Sequence, residues 1–122
     1  SKRKPHKIFY VSRCYRYERS QLGRYREFWQ FGVELLGGNR STDSIEVVTV
    51  LKQLLNSAGV VYDFKPSVKR GLDYYIEDGF EVGCQNLGAQ KQVAGGGRYD
   101  CGIGFAIGLD RLLLARELRE EI

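Results

Sequence analysis

Phe28-Trp29-Gln30-Phe31-Gly32-Val33-Glu34-Leu35-Leu36 is the stretch that decides the fold. Side chains on a strand repeat every two residues, so Trp29, Phe31, Val33 and Leu35 share one face. Gln30, Gly32 and Glu34 share the other. The first face is solidly apolar and belongs against a core. The second sets two functional side chains around a glycine, an unusual way to build a solvated surface. Gly37-Gly38 ends the strand. Upstream, residues 8–17 are rich in Ile, Phe, Tyr, Val and Cys, all strand formers. Residues 19–26 are polar and carry a glycine, which predicts a loop and hence a long antiparallel hairpin.

Working outward, residues 43–58 predict a helix. Asp43 with Glu46 suggests a capping-box start, and Gly59 a stop. Its apolar stripe is Ile45, Val48, Leu51, Leu54, Leu55 and Ala58. A short strand follows over 60–64, broken by Pro66. Residues 72–82, 92–94 and 102–107 read as three further strands, with Gly95-Gly96-Gly97 between the last two. A final helix is predicted over 108–121, with Leu109, Leu112, Leu113 and Leu118 facing inward. The fold class is α+β: an antiparallel sheet flanked by helices. The 122 residues have room for a single domain, with residues 1–7 expected as a disordered tail.

Composition narrows the function. Apolar residues make up 43% and charged residues 28%, ordinary for a globular chain. No apolar run approaches the roughly 20 residues of a membrane span, and the polar, basic start does not resemble a secretory signal. Three cysteines without a Cys-x-x-Cys pair, and a single histidine, argue against zinc and for free thiols in a reducing, cytoplasmic setting. The net charge of +4 is uneven: residues 1–40 hold 10 basic and 3 acidic residues, whereas the remainder holds 9 and 12. A basic half with interleaved aromatics suggests a polyanion partner, nucleic acid or nucleotide phosphate.

Three stretches are chemically dense. Arg16-Tyr17-Glu18-Arg19, with Gly23-Arg24-Tyr25-Arg26 after it, concentrates guanidinium forks that match paired phosphate or carboxylate oxygens. Arg70-Gly71-Leu72-Asp73-Tyr74-Tyr75 sets a cation and phenols along one strand. Gly95-Gly96-Gly97-Arg98-Tyr99-Asp100 leads into Gly104-x-x-x-Gly108-Leu109-Asp110-Arg111. There Arg111 falls in the first turn of a helix, against the local dipole, which asks for an anionic partner. No Walker loop, Rossmann fingerprint or Ser/His/Asp triad is present, so phosphate handling falls to arginines.

Taken together these stretches resemble the catalytic domain of class II aminoacyl-tRNA synthetases, and the histidyl-tRNA synthetase family in particular. Arg16-x-Glu18 through Phe28 resembles class II motif 2, and Gly104 to Arg111 resembles motif 3. Arg70 to Tyr75 and Ala94 to Asp100 resemble the two histidine-specific signatures. The resemblance implies a ligase of protein biosynthesis that converts histidine and ATP to histidyl-adenylate and transfers it to tRNA. It implies that Arg16 and Arg70 are catalytic. Arg16, Glu18, Arg24 and Arg111 would hold ATP, with Mg2+ carried on its phosphates and no metal site of the protein's own. Gln30, Glu34, Arg70, Tyr74 and Tyr75 would hold histidine. The implied partners are histidine, ATP and the tRNA acceptor end, with no membrane and with room for self-association.

The departures are specific. Ser20 stands where proline is usual and Trp29 where histidine is usual. Motif 1, the insertion domain and the anticodon-binding domain of similar enzymes are missing, so a pruned, engineered catalytic core is expected. The alternatives are an inactive synthetase-like regulatory subunit and an RNA-binding module without chemistry. The intact arginine set argues against the first, and a steep salt dependence without ATP dependence would mark the second.

Overall fold

In a computed structural model of the chain, residues 4–16, 26–66, 77–88 and 90–120 are described. Among these residues six strands form one fully antiparallel sheet: β1 (His6–Arg16), β2 (Arg26–Leu36), β3 (Asp63–Pro66), β4 (Phe80–Gly83), β5 (Gln92–Tyr99) and β6 (Gly102–Gly108). Their order across the sheet is β1-β2-β6-β5-β4-β3. Among the described residues the α-helices are α1 (Asp43–Ala58) and α2 (Leu109–Glu120), with a 3-10 turn at Gln85–Leu87. The expected α+β class and the β1–β2 hairpin are both present.

One face of the sheet is apolar, as the alternation in β2 requires. Leu35, Ala94, Phe80, Val82, Ile103, Phe105 and Ile107 join Val47, Leu51 and Leu55 of α1 and Ala115 of α2 in one core. α1 stops where expected. Gly59 takes the left-handed conformation (φ 75°) that a side chain resists, and its N–H donates to the Asn56 carbonyl.

Several expectations are corrected. His6 and Lys7 are not a tail: they pair with Leu36 and Leu35 at the start of β1. Asp43 does not cap α1; it is buried against Arg98 and accepts two hydrogen bonds from its guanidinium. In α1 the sheet-facing residues are Val47, Leu51 and Leu55, while Ile45 is 67% exposed. In α2 Leu113 is exposed and Ala115 is buried instead. Pro66 does not break β3 but closes it, paired with Phe80 at the edge of the sheet, where its missing N–H costs nothing.

The glycine triplet is the largest difference. It lies inside β5, not between strands. Gly96 faces the core, where a Cβ would collide with the Gly104 carbonyl oxygen and the Phe105 Cα. Close approach of β5 to β6 therefore excludes any side chain there. Gly95 and Gly97, one residue to either side, fall on the opposite face.

Candidate active site on the glycine-floored face of the sheet

That opposite face follows from the register. Gln30, Gly32 and Glu34 of β2 stand across from Gly108, Ala106 and Gly104 of β6, and Ala106 and Gly104 stand across from Gly95 and Gly97 of β5. Between Gln30 and Glu34, Gly32 of β2 with β6 and β5 thus presents almost no side chains over a continuous patch. On the other flank, β1 sets Ile8, Tyr10 and Ser12 beside Glu34, Gly32 and Gln30. The result is a flat backbone floor with a wall of functional groups on the β1–β2 side. Backbone exposed in this way lets a flat ligand lie close.

The wall is cross-linked. The Cys14 thiol donates to the Gln30 carbonyl Oε1 at 3.5 Å, and Ser12 Oγ lies 3.6 Å from Cys14 Sγ. The Tyr10 ring lies over Gly32 so closely that a Cβ on residue 32 would collide with it. Partial burial raises the Glu34 carboxyl above its usual pKa. Burial first, then the Glu34 carboxylate and the Cys14 thiol, push the Tyr10 phenol up. Both shifts reflect partial desolvation on this face of the sheet.

Arg111 lies in the first turn of α2, as expected. Its Nε donates to the Gln92 carbonyl at 2.9 Å, which orients the guanidinium against the start of β5. Arg16 closes β1, with its Cα partner at Arg26. Glu18, Arg24, Arg70, Tyr74 and Tyr75 lie outside the described residues. Of the expected site residues, Gln30 and Glu34 share the floor's edge, and Arg111 follows Gly108, the partner of Gln30. Among the described residues no group of three His, Cys, Asp or Glu could hold a metal. No described helix is long and apolar enough to cross a membrane.

Tyr10, Ser12 and Cys14 were not singled out from the sequence. Only the pairing register of β1 with β2 carries the two-residue alternation of β2 onto β1. A cavity of about 270 Å³ opens between the hairpin and α1, lined by Phe9, Phe31, Val33, Val47, Val50 and Leu54 among others. Lys7, Glu34 and Glu46 also line it, and Lys7 and Glu46 form an ion pair there.

An antiparallel sheet with helices on its apolar face is the fold that this chain shares with class II aminoacyl-tRNA synthetases. It is similar to a solved pyrrolysyl-tRNA synthetase from Desulfitobacterium hafniense, with a TM-score of 0.68 at 24% identity over 93% of this chain and 42% of that one. The family model described as histidyl-tRNA synthetase matches residues 1–65, and the chain belongs to that family. A histidine–tRNA ligase of Desulfitobacterium hafniense is 27% identical over 218 aligned positions, covering 95% of this chain and 51% of the relative. Another, from Oleidesulfovibrio alaskensis, is 48% identical over 84 positions, covering 60% of this chain and 20% of the relative. The chain spans about half the length of the first of these. An alignment of 218 positions exceeds this chain's 122 residues, so the relative carries residues within the matched span that this chain lacks.

Proposed function

We propose that the chain binds histidine and ATP on the glycine-floored face and joins them as histidyl-adenylate. The observation that carries this reading is the placement of Gln30 and Glu34 on one face of β2, across from the bare backbone of β6. A carboxylate and an amide at the edge of a flat floor suit an amino acid with a polar ring, lying beside a nucleotide.

In this reading the histidine carboxylate attacks the α-phosphorus of ATP in line. A bond forms from the carboxylate oxygen to phosphorus, and the bond to the bridging oxygen breaks as pyrophosphate leaves. No side chain acts as nucleophile; the protein positions the reactants and neutralises developing charge. Arg16 and Arg70 would face the α-phosphate, Glu18 the adenine amine, Arg24 the outer phosphates and Arg111 the γ-phosphate. Gln30, Glu34, Tyr74 and Tyr75 would line the histidine pocket, with Glu34 and Tyr75 on the imidazole. Mg2+ enters only as the ion carried on the ATP phosphates. Transfer to the tRNA acceptor end would follow as attack by a ribose hydroxyl on the adenylate carbonyl, releasing AMP. The exposed Phe9, Val11 and Trp29 form a surface that self-association would cover.

The test is histidine-dependent exchange of pyrophosphate into ATP. Exchange that requires histidine supports the reading. ATP-independent, salt-sensitive RNA binding without exchange would support the RNA-binding alternative instead.

A further inference from the structure

We infer that Tyr10 is a specificity-determining residue of the amino-acid pocket, its ring forming the surface on which the substrate side chain lies. The inference rests on the reading above, in which Gln30 and Glu34 both line the histidine pocket. Those residues are four apart on one strand, so their Cα atoms are separated by about 13 Å at about 3.3 Å per residue. Gly32 stands midway, and it offers no side chain to fill the gap. The Tyr10 ring does: it comes across from β1, in register with Gly32, and covers it.

A ligand spanning Gln30 and Glu34 must therefore cross the face of Tyr10. An aromatic face favours another flat ring in an offset or edge-on arrangement, and a cationic ring more so. Imidazole is such a ring, and it becomes cationic near neutral pH. Burial of the phenol and the nearby Glu34 carboxylate both oppose its ionisation. Tyr10 is 37% exposed, which leaves part of the ring open to a ligand. Position 10 thus sets how thick a side chain the pocket admits, and Gly32 is the space that the phenol end of the ring occupies.

The experiment measures histidine and ATP constants by pyrophosphate exchange, and histidine binding by calorimetry, for the wild type, Tyr10→Phe and Tyr10→Ala. Tyr10→Ala is expected to raise the KM for histidine about tenfold, the scale of a ring pair. It should leave the KM for ATP unchanged and admit phenylalanine and tryptophan better relative to histidine. Tyr10→Phe, which keeps the ring and is the conservative check on folding, is expected to stay within about threefold of wild type. Equal loss in Tyr10→Phe and Tyr10→Ala, or parallel shifts in both KM values, would overturn the ring's role. Unchanged constants in Tyr10→Ala with an active wild type would overturn this inference alone. A wild type that neither binds nor activates histidine would overturn the reading beneath it as well.

Discussion

Arg98 on β5 grips Asp43 at the start of α1 through two parallel hydrogen bonds, of 2.6 and 3.0 Å. The pair is enclosed, with 7% and 3% of the two side chains exposed. The same guanidinium donates through Nε to Asp78 at 2.8 Å, and the Arg98 backbone N–H donates to the Glu77 carbonyl at 2.9 Å. One residue thus fixes the helix, the sheet and the turn that leads into β4. Arg40 adds a further ion pair to Glu77.

Removing the cation from this arrangement leaves a buried carboxylate without its partner. Arg98→Met is therefore expected to lower the free energy of unfolding by about 3–5 kcal/mol. Urea denaturation measures it. A loss below about 1 kcal/mol, the scale of an exposed pair, would show that the enclosed geometry contributes little.

The pair also predicts a pH dependence. Hydrogen bonds from Arg98 hold the Asp43 carboxyl below its usual pKa of 3.8. The unfolded chain therefore takes up the proton first, and stability falls as pH drops through and below that value. At neutral pH the contribution is complete, and Arg98 stays charged throughout. Wild type should be more stable than Asp43→Asn by a constant margin at neutral pH, and the margin should shrink between about pH 5 and pH 2. A margin independent of pH would show that the loss in Asp43→Asn is steric.

Two glycines should respond differently to the same methyl group. At Gly96 a Cβ meets backbone of the neighbouring strand, which cannot turn aside. Gly96→Ala is expected to cost about 1–3 kcal/mol of stability by overpacking. At Gly32 the Cβ meets the Tyr10 ring, which can rotate away. Gly32→Ala should therefore spare stability relative to Gly96→Ala and weaken histidine binding. Thermal denaturation together with histidine calorimetry separates the two.

Arg111→Ala is expected to weaken ATP binding and to spare histidine binding. Loss of the bond to the Gln92 carbonyl should add about 1 kcal/mol of destabilisation. Calorimetric titration with each ligand decides it. Equal loss for both ligands would mean that Arg111 only ties α2 to β5.

The sheet was legible because β2 alternates cleanly between an apolar face and a polar one. α1 was legible in its extent, residues 43–58, because its apolar stripe and Gly59 agree. The role of Asp43 was not legible, because its partner Arg98 lies 55 residues away and only the fold joins them. The glycine triplet misled because three glycines read locally as a turn; the room that β5 denies at Gly96 is set by β6. Within the site, Gln30 and Glu34 were visible as neighbours on one face. Tyr10, Ser12 and Cys14 required the hairpin register, since aromatic and small polar residues in a strand carry no signal of their own.

The most direct test of the central claim is an active-site titration: ATP consumed in the first turnover on mixing the chain with histidine, ATP and Mg2+. The account predicts a burst that requires histidine, rises in proportion to protein and is lost in Arg16→Ala. ATP consumption that ignores histidine, or no burst from a chain shown to be folded, would contradict it.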